Sequence, residues 1–344
     1  MKAIVHVGMH KTGTSSIQDS FAAVPPEGFS YFKARGNNLN QWSRVMFEEP
    51  ETLMQLPWYS QASDAERQAF RKARAEESDR EFDRVAAAGV PVIFSAERFG
   101  YMSEPSVARF RGWLAERFEE VEIHAYVRDP LGFVRSSIQQ RIKTGAKDLS
   151  VTPDLPHYQS RFAKFEDAFG ADHVQYRIFR RGDLKDGNVV ADFADWLGTG
   201  YPVEAILTSN ESVSVEALAC MIAMTCHLPD DIAASVTPVE RIRTFALLTE
   251  FGSGTFAFSE AAATKIVASI KADCDWMDAR LGTPLDRTAR QSGDVTIDRL
   301  EDLAELAPDY ADGLRAHIAA ALVPDAPRSM QDLLPALSFV RYAP

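Results

Sequence analysis

Lys11-Thr12-Gly13-Thr14-Ser15-Ser16 puts one ammonium, four hydroxyls and a run of backbone amides into six residues. Amides gathered at a helix start aim their N–H groups at a common centre, and a cation beside them suits a phosphate-like anion. Far downstream, Arg128 and Ser136 lie eight residues apart in "RDPLGFVRS". An arginine fork and a hydroxyl can together hold a second, separate phosphate. Two side chains in or near such segments can move a proton: Glu97 in "VIFSAERF", and His10 beside Lys11.

The first segment departs from the G-x-x-x-x-G-K-[ST] loop of nucleoside-triphosphate binders. Gly8 and Gly13 keep the separation, but Thr14 stands in the lysine slot, Ser15 in the hydroxyl slot, and the lysine has moved to Lys11. The backbone cradle survives this change. The cation's duty does not: at the loop crest it suits a bridging oxygen between two groups, not the outer phosphates of a triphosphate. No aspartate closes a core strand as a magnesium ligand would, since Val90–Phe94 runs into Ser-Ala-Glu and Val121–Val127 into Arg-Asp-Pro. No metal requirement is expected.

These residues need elements to hold them. Ala3–Val7, Val90–Phe94, Val121–Val127 and Val174–Phe179 read as core strands, with a short one in Gly28–Lys33. Helices are expected at Ser15–Ala22, 63–88 with a Ser63–Glu66 capping box, Val107–Phe118, Leu131–Thr144, Phe162–Phe169 and Val189–Leu197. Strands alternating with helices predict an α/β fold: a P-loop-type parallel sheet flanked by helices. Beyond about residue 205 strand signals fade. Val213–His227 and a single Glu260–Leu281 helix follow, then a loop-like 283–296 and a helical tail from Ile297 to Ala321. The expected organisation is a core over 1–204, with a helical insertion at about 34–88, and a helical C-terminal extension over 205–344 packed on it as part of one domain.

With these motifs on these elements, the chain resembles sulfotransferases that use 3′-phosphoadenosine 5′-phosphosulfate (PAPS). In that family a KxGT[ST] loop cradles the 5′-phosphosulfate and an RDP…S segment holds the 3′-phosphate. The resemblance covers roughly residues 1 to 200. It implies PAPS as co-substrate and PAP as product, bound by Lys11, Thr12, Gly13, Thr14, Ser15, Ser16, Arg128 and Ser136, with Lys11 also catalytic. "FRRGDL…DFADWLG" over Phe179–Gly198 echoes a further family segment, although Arg181 stands where many members carry an adenine-contacting aromatic. Family members place the base after the corresponding strand, a histidine in some branches and a glutamate in others. Glu97 falls there and is the first candidate, and His10 is the second. The bland alternative for Glu97 is a helix cap or a salt-bridged glutamate, with Arg98 as one candidate partner.

The remaining histidines have structural expectations: His124 in the core, and His157, His173, His227 and His317 at the surface or in structure. Arg135 is expected on a solvated face, whereas Arg141 and Lys143 are candidates for extra 3′-phosphate cations. Trp42, Trp58 and Tyr59 suit sugar stacking or helix packing, and packing is preferred. The acceptor is expected to be a small-molecule or glycan hydroxyl, and the C-terminal helices could close over the donor or mediate a homodimer.

The chain has 344 residues, 46% hydrophobic and 25% charged, with a net charge of −12. Such a surface repels nucleic acid and anionic lipid, so any anion site must be local. Three cysteines, Cys220, Cys226 and Cys274, fit buried thiols in a reducing cytoplasm better than a disulfide framework. No apolar run approaches membrane-spanning length, and Asn210-Glu211-Ser212 is a chance sequon. Two other readings use the same loop. A kinase-like ATP-dependent phosphotransferase would need magnesium, and a non-catalytic nucleotide-binding protein would need no Glu97.

Overall fold

The computed structural model describes residues 1–34, 36–143, 150, 155–208, 213–227, 237, 246–288 and 293–321, excepting the side chains of Lys143, Cys226, His227 and Ala321. The 210–212 sequon and those Lys143, Cys226 and His227 expectations lie outside the described residues. The chain forms two compact units: Met1–Asp129 with His157–Asn210 and Ala272–Leu285, and Pro130–Pro156 with Glu211–Lys271 and Asp286–Pro344.

The first unit is α/β. Strands β1 (Lys2–Val7), β2 (Ser30–Tyr31), β3 (Val92–Ala96), β4 (Glu120–Val127) and β5 (Val174–Ile178) form one sheet in the order β2-β3-β1-β4-β5. Every pairing is parallel, with Val7 opposite Ala96 and His6 opposite both Ser95 and His124. A parallel sheet is covered on both faces, which is why Ala3–Val7 and Val92–Ala96 are buried along their whole length. On one face α1 (Thr14–Ala23) and, far along the chain, Val189–Trp196 press Ile17, Phe21, Val190 and Phe193 against Ile4, Ile93 and Tyr126. The opposite face carries an aromatic cluster in which Trp42 packs on Phe32, Phe47, Phe94, Phe110 and Trp113. Trp42 is 5% exposed and donates its indole N–H to Ser78 Oγ at 3.0 Å, so it is a packing residue. Each such side chain contributes about 1.5–3 kcal/mol by leaving water.

The insertion is helical: α2 (Asn40–Phe47), α3 (Pro50–Leu53), α4 (Pro57–Gln61) and α5 (Asp64–Ala86), the last opened by the Ser63–Glu66 capping box. Next comes α6 (Glu104–Ala115), with Ser103 as its cap.

The second unit is mainly helical, built on α7 (Pro130–Lys143) and α10 (Val215–His227), if Tyr158–Phe169 is α8 and Val189–Trp196 is α9. Leu131, Val134, Ile138 and Ile142 line one stripe of α7 and join Leu218, Ile222 and Leu303 in its core. Two expectations fail here. Two short strands, β6 (Phe256–Phe258) and β7 (Val295–Ile297), pair in parallel where none is expected, and β7 begins inside the 283–296 stretch read as loop. The single 260–281 helix is two, α11 (Glu260–Ser269) and α12 (Lys271–Leu281), parted at Ile270, whose φ of −118° and ψ of 19° leave the helical region. Two further helices, α13 (Glu301–Glu305) and α14 (Ala311–Ala321), form the tail. No described helix is long and apolar enough to cross a membrane.

Candidate active site

Open α/β sheets bind ligands beyond the carboxyl ends of their strands, where strand order reverses. Here β1 is that strand: the chain builds β2 and β3 on one side of it, then crosses to β4 on the other. The segments leaving β1, β3 and β4 carry Lys11, Glu97 and Arg128 respectively.

The first segment is a tight loop organised around one carbonyl. Met9 O accepts from Thr12 N at 3.3 Å, Thr12 Oγ1 at 2.8 Å and Thr14 Oγ1 at 3.4 Å. The hydroxyl protons of Thr12 and Thr14 therefore serve the loop itself, and Ser15 is the exposed hydroxyl of the segment. Gly13 turns with φ 77°, and a Cβ there would lie 2.4 Å from Val189 Cγ1. Gly8 is needed for approach: a Cβ on it would meet Thr14 Cγ2 at 2.7 Å and Glu97 Cγ at 3.1 Å. Helix α1 starts at Thr14 with no side-chain cap from Gly13, and helix N-termini suit anions.

Lys11 itself has φ 60°, a left-handed conformation that costs a side-chain-bearing residue about 1–2 kcal/mol. Arg128 holds it there, donating from Nη1 to Lys11 O at 2.9 Å. Arg128 is fixed in turn, since its own carbonyl accepts from the buried Tyr158 hydroxyl at 2.6 Å. Tyr158 opens α8, and Asp273 on α12 accepts from the Tyr158 and Gln159 amides at 2.7 and 2.8 Å.

Glu97 follows β3 directly and is partly buried. Burial raises its pKa, and the charges of Lys11 and Arg161 pull it back down. Neither a helix cap nor a pair with Arg98 is seen at Glu97. Glu97 makes no side-chain cap to the 3-10 turn Arg98–Tyr101 that it precedes. Arg98 pairs instead with the buried Glu48, at 2.6 Å from Nε and 2.5 Å from Nη2. The Arg98 amide also donates to Asn40 Oδ1 at 2.9 Å. The insertion thus clamps the turn that carries Glu97.

His10 Nε2 lies 3.7 Å from Glu97 Oε2, and its Nδ1 lies 2.9 Å from the Tyr101 hydroxyl. That hydroxyl accepts from Arg161 Nη2 at 3.2 Å, and the Arg161 guanidinium stacks on the Tyr101 ring, 4.4 Å from its centroid. Burial first, then the Arg161 and Lys11 charges, depress His10 to about 4. His10 is therefore neutral near pH 7, and a weak base beside a carboxylate whose basicity is raised.

Sequence reading missed Tyr101 and Arg161. Arg161 lies on α8, 4% exposed, in space left by Gly100, where a Cβ would meet Arg161 Cγ at 2.8 Å. An arginine on a helix has no local signal for such a role, and its site partners are distant in sequence.

Ser136 is a buried residue of α7 in the second unit. Arg135 is not simply on a solvated face, because it donates to Phe256 O at 3.3 Å, and Arg141 Nη2 donates to Ser150 O at 2.5 Å. His124 is buried, with Nε2 at 3.2 Å from Glu122 Oε2. His317 Nε2 lies 2.9 Å from Leu247 O, whereas His157 and His173 are exposed. Arg181 is exposed at the start of a 3-10 turn. Cys220 and Cys274 are buried free thiols. Trp58 is 45% exposed and meets Phe70 edge to face. Among the described residues no three His, Cys, Asp or Glu side chains gather as a metal site.

No family model matches the chain, and no curated protein does. Among solved structures it is similar to a sulfotransferase from Alicyclobacillus acidocaldarius, at TM-score 0.45 and 15% identity, over 82% of this chain and 96% of that one.

Proposed function

We propose that this chain transfers a sulfuryl group from PAPS to a hydroxyl acceptor, a carbohydrate or other small hydroxyl compound, and releases PAP. The observation that carries the reading is Lys11 held in a left-handed conformation at the crest of the loop by the arginine that leaves the neighbouring strand. A strained lysine persists when the surrounding structure over-determines it, and such strain gathers at functional sites.

In this reading the α1 amides hold the 5′-phosphate, and the Arg128 guanidinium takes the 3′-phosphate. Ser136 enters through its sequence motif alone. Glu97 takes the acceptor proton as the acceptor oxygen bonds to sulfur. The bond from sulfur to the bridging oxygen breaks, its electron pair stays on the departing phosphate, and Lys11 stabilises the charge that develops there. Neutralisation by the Lys11 ammonium gives magnesium no necessary part. Turnover in the cytoplasm, where thiols stay reduced, belongs to the same reading.

Titration calorimetry with PAP, and separately with ATP plus magnesium, tests the donor. Tight PAP binding with weak ATP binding is expected, and a preference for ATP would sink the proposal. Transfer of radiolabelled sulfate from PAPS to a panel of glycans and small alcohols, with and without EDTA, tests the reaction.

A further inference from the structure

Three side chains from three elements line up behind Glu97. Arg161 comes from α8, Tyr101 from the turn after β3, and His10 from the loop after β1. Two links are hydrogen bonds, Arg161 Nη2 to Tyr101 Oη at 3.2 Å and Tyr101 Oη to His10 Nδ1 at 2.9 Å, and the third is a close approach beyond hydrogen-bond distance, His10 Nε2 to Glu97 Oε2 at 3.7 Å. Proton accounting along this line has a preferred answer. A neutral imidazole has one N–H, and the nitrogen facing a carboxylate is the better place for it. Nδ1 must then accept, and a tyrosine hydroxyl has one proton to give it. Arg161 donates to the same hydroxyl oxygen and orients it, so the Tyr101 proton points at Nδ1.

We propose that Tyr101, oriented by Arg161, is a positioning residue that locks His10 as the Nε2–H tautomer and so keeps the Glu97 carboxylate ionised and aimed. It touches no reacting atom. Its effect passes through His10, and its role rests on the assignment of Glu97 as base. The charged and titratable groups acting on Glu97 are Lys11 and His10 from the loop and Arg161 from α8. Without the Tyr101 hydroxyl, Nδ1 loses its donor and the proton can move there. Nε2 then turns a lone pair toward Glu97 Oε2, which favours the protonated carboxyl.

Tyr101 is 49% exposed, so Tyr101→Phe removes one hydroxyl without opening the core. The decisive readout is the titration of Glu97, followed by carbon-13 NMR of glutamate-labelled protein and assigned with Glu97→Gln. Tyr101→Phe is expected to move that titration to higher pH. His10→Ala should move it too, and the double variant should move it no further than His10→Ala alone. In turnover, the acid limb of the kcat profile should shift in the same direction, with kcat reduced about tenfold, the loss typical of an outer partner, and KM little changed. An unmoved Glu97 titration in Tyr101→Phe overturns the proposal, and so does an additive double variant. The NMR readout needs no substrate. A chain that shows the shift yet transfers no sulfate would refute the sulfotransferase reading and leave the tautomer lock standing.

Discussion

Arg128 donates to the backbone carbonyl of Lys11 at 2.9 Å, joining the strand-end arginine to the crest of the loop. The two residues assigned to opposite ends of the donor nucleotide are thus in direct contact. Arg128→Ala should weaken PAP binding about ten- to hundredfold, the loss expected for hydrogen bonds to a charged group. Calorimetry gives the number, and ATP with magnesium serves as comparison. Undiminished PAP affinity in this variant would remove Arg128 from the site.

Lys11 sets chemistry against stability. Glycine adopts φ 60° freely, so Lys11→Gly should stabilise the fold by up to about 1–2 kcal/mol while removing the cation. Lys11→Ala keeps most of the strain and also loses the cation. Both should lower kcat about 10²–10³-fold, as expected when a charge-stabilising donor is lost. Only the glycine variant should raise the melting temperature. Two variants equally inactive but ordered the other way in thermal melts would contradict the strain assignment.

In the proposed reaction Glu97 sets a pH dependence with a definite sign. Burial lifts its pKa, so the base form is lost as pH falls at a point above the ordinary carboxyl range. The kcat profile should rise with pH through that limb, and Glu97→Gln should flatten it while costing about 10²–10⁴-fold in rate. The stability sign is opposite. The folded chain keeps this proton longer than the unfolded one, so the group's contribution is greatest at low pH and fades as pH rises through the raised pKa. Parallel melts of wild type and Glu97→Gln across pH check it; a gain in relative wild-type stability with rising pH would be the wrong result.

Glu48→Ala should be felt at a distance. It strips Arg98 of its partner and loosens the turn bearing Glu97 and Tyr101. Because Arg98 is 28% exposed, the cost should fall below that of a fully buried pair, at about 2 kcal/mol. Denaturant unfolding measures this. A fall in kcat exceeding any fall in PAP affinity is the companion expectation.

Much of the loop after β1 was legible because its physics is local. A strand, two glycines at a fixed spacing and a helix start read directly as a loop, and Pro130 marks the start of α7. Glu97 was legible as a strand-end carboxylate. Tyr101 and Arg161 were not, because they meet only through the packing of α8 against the turn. Short strands of three residues, β6 and β7, are too brief to show a period, and the Ile270 break interrupts a stretch whose composition is helical on both sides.

β1 lies between β3 and β4, and both begin long after it in the chain, at Val92 and Glu120. β1 is therefore made before either neighbour and stays unpaired until β3, and then β4, has been synthesised. Non-local parallel pairing of this kind is slow and leaves apolar strand edges uncovered meanwhile. The nascent chain displays its lysine loop early, but Arg128, which holds the Lys11 carbonyl, follows 117 residues later. Truncated products ending before β4 should accordingly be poor nucleotide binders and good chaperone clients.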